Sequence, residues 1–213
     1  MITTLTLNPC IDHTINIVGF KYGGTNKVFK TFRDISGKGI NVSVVLNQLG
    51  RETRNIVFEY KDSAINVSKK LREMGMECDE IQVPGELRTN IKIFDEETTV
   101  MSECNASGNP VPPQAAEEMF KLICRSFDDT DMIVVNGSVP PGVPADFYYR
   151  VISAAKERGI ITILDADNQL FKEGVKGAPT LIKPNKNELE KFTGRKLETK
   201  SDIVEAAKEL LDL

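Results

Sequence analysis

Ser36-Gly37-Lys38-Gly39-Ile40-Asn41-Val42 sets two glycines around a lysine and runs straight into the apolar stretch Ile40-Asn41-Val42-Ser43-Val44-Val45-Leu46. Glycine permits positive φ and lets a backbone approach a ligand closely. A helix that begins just after such a loop turns free N–H groups and a partial positive charge on whatever lies there. Lys38 adds a full charge. The chemistry on offer is capture of a small anionic or polyhydroxy ligand. A Walker A loop is excluded, because G-x-x-x-x-G-K-[ST] does not fit. Taken alone, the heptapeptide reads equally well as an ordinary glycine-rich turn before a helix.

Four further polar clusters each follow a predicted strand: Asn8 to Asp12, Gly137-Ser138-Val139-Pro140-Pro141-Gly142, Asp165-Ala166-Asp167-Asn168, and Lys183-Pro184-Asn185-Lys186-Asn187-Glu188. Singly, each is readable as a turn. In a parallel α/β sheet, however, ligand groups collect beyond the carboxyl ends of the strands, so four such clusters belong on one edge.

The elements that must position them are legible as hydrophobic patterns. Strands are predicted at 2–7, 14–17, 27–35, 55–58, 80–83, 89–94, 131–136, 160–164 and 180–182. Helices are predicted at 39–49 with Gly50 as the stop, from an Asp62 cap to Gly75, from Pro112-Pro113 through Phe127, at 144–158 closed by Gly159, and at 187–192. Thr199-Lys200-Ser201-Asp202 resembles a capping box. The helix after it carries Ile203, Ala206, Ala207, Leu210 and Leu211 on one face and meets no stop signal. Strand and helix alternate in the second half, which predicts a parallel sheet. The first half interrupts that order with alternating strands able to form a separate, half-exposed sheet. The chain therefore reads as one α/β domain over 1–213 with a small β appendage inserted at about 13–35 and 87–103.

Composition narrows the function. The 213 residues are 40% hydrophobic and 27% charged with a net charge of −4, a globular composition that argues against nucleic acid and anionic membranes as partners. No run approaches the ~18 apolar residues of a membrane span. The four cysteines show no C-x-x-C spacing and the N-terminus lacks a signal-peptide pattern, so a cytoplasmic location with free thiols is expected. His13 is the only histidine, which disfavours a His/Cys zinc site.

Together and in order, Thr4-Leu5-Thr6-Leu7-Asn8-Pro9 with Asp12, Gly37-Lys38-Gly39-Ile40-Asn41-Val42, Arg88-Thr89-Asn90-Ile91-Lys92, Gly137-Ser138-Val139-Pro140-Pro141-Gly142 and Lys183-Pro184-Asn185 with Glu188 resemble the phosphofructokinase B family of ribokinase-like carbohydrate kinases. Within it, the 1-phosphofructokinase and tagatose-6-phosphate kinase branches look nearest. The resemblance implies a three-layer α/β/α, Rossmann-like parallel sheet with a small β lid. It implies that Asp12 and Asn41 hydrogen-bond sugar hydroxyls, that Gly37, Lys38 and Gly39 form the substrate loop together with Ser138, and that Arg88 grips the sugar phosphate, a task suited to a guanidinium fork. Lys27, on the other lid segment, reads either as a second cation there or as a solvated strand lysine. Lys183, Asn185, Asn187 and Glu188 are expected on the ATP side, with Glu188 organising Mg²⁺. Without the resemblance, Glu188 would read as an acid at a helix N-terminus. The family also implies a homodimer through the lid, with Ile15, Ile17, Ile91 and Ile93 as candidates for the covered face.

Three departures stand out. Ser36 takes the place of a first glycine, at a cost of about 1–2 kcal/mol if that position needs positive φ. Phe58-Glu59-Tyr60-Lys61-Asp62 lacks the family's glycine-rich turn. The G-A-G-D segment, whose aspartate is the family's general base, does not occur in the 213 residues. The expectation is a C-terminally truncated fold and a chain without useful turnover, since a base is worth roughly 10²–10⁴ in rate and each oxyanion donor roughly 10²–10³. The expected complete activity is ATP-dependent phosphorylation of fructose 1-phosphate at its 6-hydroxyl. The close alternative is tagatose 6-phosphate at its 1-hydroxyl; a non-catalytic sugar-phosphate binder is the alternative of another class.

Overall fold

A computed structural model describes residues 1–211. The chain opens with strand β1 (Ile2–Thr6) and crosses to a second sheet with β2 (Cys10–Ile17) and β3 (Lys30–Ser36). Helix α1 (Lys38–Gln48), β4 (Thr53–Tyr60), α2 (Val67–Glu73) and β5 (Glu77–Val83) follow. Then come β6 (Arg88–Asp95), β7 (Val100–Cys104), α3 (Pro113–Ser126), β8 (Met132–Asn136), α4 (Phe147–Glu157), β9 (Ile161–Asp165), α5 (Asn168–Val175), β10 (Leu181–Ile182), α6 (Lys186–Thr193) and α7 (Lys200–Leu211).

Six strands form an all-parallel sheet in the order β10-β9-β8-β1-β4-β5. Helices flank it, giving the three-layer α/β/α arrangement. Its middle is an apolar core in which Leu5, Ile56, Phe58, Val135 and Leu164 are fully buried. From β1 the chain builds outward to β4 and β5 on one side and to β8, β9 and β10 on the other. The order therefore reverses between β1 and β8, and open sheets bind ligands in the crevice at such a reversal.

Helix α1 lies directly over β1. Gly39 makes the approach possible: a Cβ there would collide with the Leu5 carbonyl and the Thr6 hydroxyl. Gly37, at φ 154°, is the helix N-cap and has no side-chain cap bond, so the first-turn N–H groups remain open toward the strand tips. Under α1, Thr4 Oγ1 lies 2.9 Å from Ser43 Oγ and donates to Asn55 Oδ1 at 3.1 Å.

Four strands make the lid, in the order β3-β2-β6-β7, with β2 and β6 parallel from Cys10–Arg88 to Ile17–Asp95. It starts and ends slightly outside the expected insertions. The expected strand at 27–35 begins only at Lys30, and Lys27 lies exposed in the preceding connection. The 80–83 segment joins the main sheet as edge strand β5 rather than a half-exposed second sheet.

Asp62 does not cap α2. Its carboxylate accepts from Gly85 N at 2.6 Å, while Asn66 is the N-cap and accepts from Lys69 N. The buried Glu59 carboxylate accepts the next free donors, Val67 N at 3.1 Å and Ser68 N at 2.8 Å. In the segment that lacks the glycine turn, Glu59 thus supports the start of α2 while Asp62 ties the chain to Gly85. The capping box at 199–202 forms as read, with Asp202 N on Thr199 Oγ1 and Thr199 N on Asp202 Oδ2. On α7, Ala206 and Leu210 are buried but Leu211 is exposed, so it does not share their face.

Candidate active site

The lid stands over the crevice between β1 and β8, and a cavity of about 540 Å³ lies between them. Asp12, Gly37, Lys38, Asn41, Arg88 and Ser138 all line it. Residues from β2, α1, β6 and the β8 tip thus meet at one place, as the sequence requires of a single site. Gly39 sits beneath it, pressed on β1.

The lid wall is polar because the strands alternate. Arg88, Asn90 and Lys92 are successive same-face residues of β6, and Asp12 pairs with Asn90 in the register. Lys92 Nζ lies 2.6 Å from Asp12 Oδ2, and Asn90 Nδ2 donates to Asp12 Oδ1 at 3.1 Å. Burial pushes the Asp12 carboxyl up, but hydrogen bonds from Lys92, Ser36 and Asn90 outweigh it and hold its pKa below the ordinary value. The same contact raises Lys92 above the usual lysine range. Burial, then the Asp12 charge, lifts the neighbouring Cys10 thiol to about 11. The wall therefore presents a fixed carboxylate and a fixed ammonium side by side.

Arg88, expected to grip the sugar phosphate, makes three hydrogen bonds to main-chain carbonyls. Its Nε and Nη2 donate to Asn8 O at 3.2 and 2.8 Å, and Nη1 donates to Ala106 O at 2.6 Å. The guanidinium thereby staples the β1 tip to the segment after β7. Because carbonyls carry no net charge, its own charge stays uncompensated at the cavity wall. Asn8 completes the staple, with Nδ2 donating to Ser107 O and Ser138 Oγ at 3.0 and 3.1 Å.

Opposite the lid, Asp165 at the end of β9 bridges two lysines. Lys38 Nζ is 3.0 Å from Oδ1 and Lys183 Nζ is 3.2 Å from Oδ2. This links the Gly37-Lys38-Gly39 loop to the fourth strand tip. Asn185 and Glu188 form a reciprocal capping box on α6: Glu188 N donates to Asn185 Oδ1 at 2.9 Å and Asn185 N to Glu188 Oε2 at 2.8 Å. Lys183, Asn185, Asn187 and Glu188 lie outside the cavity, and Asn187 is exposed. Lys27 does not reach the cavity either. Ser36 ends β3 without positive φ, so the expected strain is absent.

Asn90 and Lys92, inside a quoted motif, and Asp165, inside a strand-tip cluster, carry no assigned role in the sequence reading, and Asn136 is not singled out there at all. Lys92 sits in an alternating strand, where a lysine signals a solvent face. Only the β2–β6 register reveals that this face is roofed.

The profile of the pfkB family carbohydrate kinases matches residues 5–212, and the chain belongs to that family. It is 33% identical over 210 residues to the 1-phosphofructokinase of Escherichia coli K12, covering 97% of this chain and 66% of that protein. It is 31% identical over 201 residues to the tagatose-6-phosphate kinase of Staphylococcus epidermidis, covering 92% of this chain and 64% of that protein. The chain thus spans just under two thirds of the length of these curated relatives. Among solved structures, a possible 1-phosphofructokinase of Thermotoga maritima superposes with a TM-score of 0.87 at 28% identity, covering 98% of this chain and 68% of that one.

Proposed function

We propose that this chain forms the sugar-phosphate side of an ATP-dependent kinase whose acceptor is fructose 1-phosphate, phosphorylated at the 6-hydroxyl. The convergence of Asp12, Asn41, Lys38, Lys92 and Arg88 on one cavity carries this reading. Three cations suit a phosphate ester, and Asp12 and Asn41 suit hydroxyls. The acceptor oxygen forms a bond to the γ-phosphorus, the bond to the β,γ-bridging oxygen breaks, and the hydroxyl proton leaves to a base. None of the residues assigned above takes the role of that base. Tagatose 6-phosphate is the second reading, supported by the 31% identical relative.

For ATP, Lys183 and the α6 N-terminus are the groups this chain offers. Mg²⁺ takes one or two carboxylates and fills its shell with water and phosphate oxygens. No cluster of three or more His, Cys, Asp or Glu side chains able to hold a metal occurs among the described residues. Glu188, held by one oxygen in its capping box, fits the single-carboxylate share of such a shell. When bound, the ion would supply charge neutralisation at the phosphates. No helix among the described residues is long and apolar enough to cross a membrane, and all four cysteines are free, which supports a cytoplasmic setting.

Calorimetry with fructose 1-phosphate, then a coupled assay with Mg-ATP, tests the reading. The 213-residue chain is expected to bind the sugar phosphate without transfer. The same chain extended by a family-type C-terminal segment bearing G-A-G-D is expected to phosphorylate it. A folded extended protein that acts on neither fructose 1-phosphate nor tagatose 6-phosphate overturns the assignment, and binding that persists without transfer favours a non-catalytic binder.

A further inference from the structure

Buried polar atoms without partners concentrate at this cavity. Of the five found among the described residues, Thr6 Oγ1, Asn8 Oδ1 and Asn136 Oδ1 belong to residues that line it. A buried acceptor without a donor is costly and is rarely left so without a reason. Two of the three are hemmed in by backbone: a Cβ on Gly39 would strike Thr6 Oγ1, and one on Gly108 would strike Asn8 Oδ1. Asn136 is the third, at 2% exposure.

Its position is fixed from below. The Tyr148 hydroxyl donates to Asn136 O at 2.9 Å, and Asn136 pairs with Asp165 in the β8–β9 register. Both Thr6 and Asn136 stand two residues past the Thr4–Val134 pair, so they lie level on adjacent strands at the point where the strand order reverses. The next residues, Gly137 and Ser138, also line the cavity. The main chain is therefore held at the cavity wall, and the buried side-chain oxygen finds no donor within the chain.

The chemistry of that donor follows from the other walls. Lys38, Lys92 and Arg88 address negative charge. Each oxygen of Asp12 already accepts a hydrogen bond, from Lys92 or Asn90, and keeps a further lone pair for a hydroxyl. An uncommitted carboxamide oxygen accepts an O–H, and a carboxamide NH₂ can donate to a neighbouring oxygen. That pairing suits a sugar hydroxyl, which both donates and accepts, whereas a phosphate could use only the NH₂. We infer that Asn136 is a specificity-determining residue of the site, reading a ring or chain hydroxyl of the sugar phosphate through its side-chain amide. The inference rests on the sugar-phosphate reading of the cavity.

The test is calorimetry on the 213-residue chain and on Asn136→Ala, with four probes: fructose 1-phosphate, its 3-deoxy and 4-deoxy analogues, and inorganic phosphate. The unaltered chain is expected to bind one deoxy analogue about 10-fold more weakly than the parent, the worth of one good hydrogen bond. Asn136→Ala is expected to bind the parent about 10-fold more weakly and to stop distinguishing it from that analogue, with inorganic phosphate binding unchanged in both. Ligand-free, the variant is expected to melt no lower than the unaltered chain, because the orphan acceptor is gone. Asn136→Ser supplies the same comparison if the alanine variant folds poorly. The inference is overturned if the unaltered chain binds yet treats all three sugars alike, if Asn136→Ala keeps the full discrimination, or if both variants melt well below the unaltered chain and lose every probe equally. An unaltered chain that takes up no sugar phosphate overturns this inference and the sugar-phosphate reading together.

Discussion

Asp12 and Lys92 set the charge on the inner wall of the lid. The pair is partly buried, so removing one member leaves the other without compensation. Lys92→Met is expected to weaken fructose 1-phosphate binding by about 10–100-fold, since hydrogen bonds to charged groups are worth roughly 1.5–3 kcal/mol. Unchanged affinity by calorimetry would make the pair a purely structural one. Acid titration tests the same contact. The folded pKa of Asp12 lies below its ordinary 3.8, so the stability its ionised form adds is present at neutral pH and lost as pH falls through the folded value. The difference in melting temperature between the unaltered chain and Asp12→Asn should be flat from about pH 9 to about pH 5 and shrink below about pH 4. Equal differences at pH 7 and pH 3 would contradict the depressed value. Cys10 gives a third residue-scale outcome. With its thiol raised to about 11 and 2% exposed, it should resist iodoacetamide at pH 7.5 while the exposed Cys104 is modified first. Mass spectrometry showing equal labelling of the two would refute this.

At the scale of elements, the contact between α1 and β1 places the Gly37-Lys38-Gly39 loop over the strand tips. Gly39→Ala must push helix and strand apart, because the added methyl meets the Leu5 carbonyl rather than a movable side chain. A loss of about 2 kcal/mol or more in urea unfolding is expected, together with loss of sugar-phosphate binding. A variant as stable as the original would mean that α1 shifts freely. This contact was legible in sequence, since G-K-G before an apolar run announces both the loop and the close approach. Other elements were hidden by tertiary causes. Helix α5 went unread because Gly174 interrupts Leu170, Phe171 and Val175. That glycine instead lets the helix settle on β9, where an added Cβ would lie 2.9 Å from Leu164 Cδ2. Strand β7 is exposed throughout and carries no apolar alternation to betray it. Asp62 and Asn66 are both credible caps by type, and only the buried Glu59 beside Val67 and Ser68 selects the later start. The strand tips of the site were visible as polar clusters. Lys92 and Asn136 were not, because one resembles a solvent-facing lysine and the other the polar end of a buried strand.

For the whole molecule, the outer surface of the lid raises the question of what covers it. Ile17 is buried within the chain, so it is not available as part of an outer face. Ile91 remains 41% exposed, and the register sets it beside His13 and one pair from Ile15 and Ile93. The connection between β2 and β3 adds Phe20, Tyr22, Val28 and Phe29, all exposed, with Tyr22 at 97%. Exposed apolar side chains of this kind would suit an association face. A second copy meeting lid to lid would cover these side chains. Light scattering is therefore expected to give twice the chain mass. Ile91→Asp combined with Phe29→Asp is expected to give the single-chain mass without lowering the melting temperature of the core sheet, since neither residue is buried there. A unaltered chain that stays monomeric at high concentration would leave the lid without a homodimeric role. A variant that stays dimeric would move the interface elsewhere on the molecule.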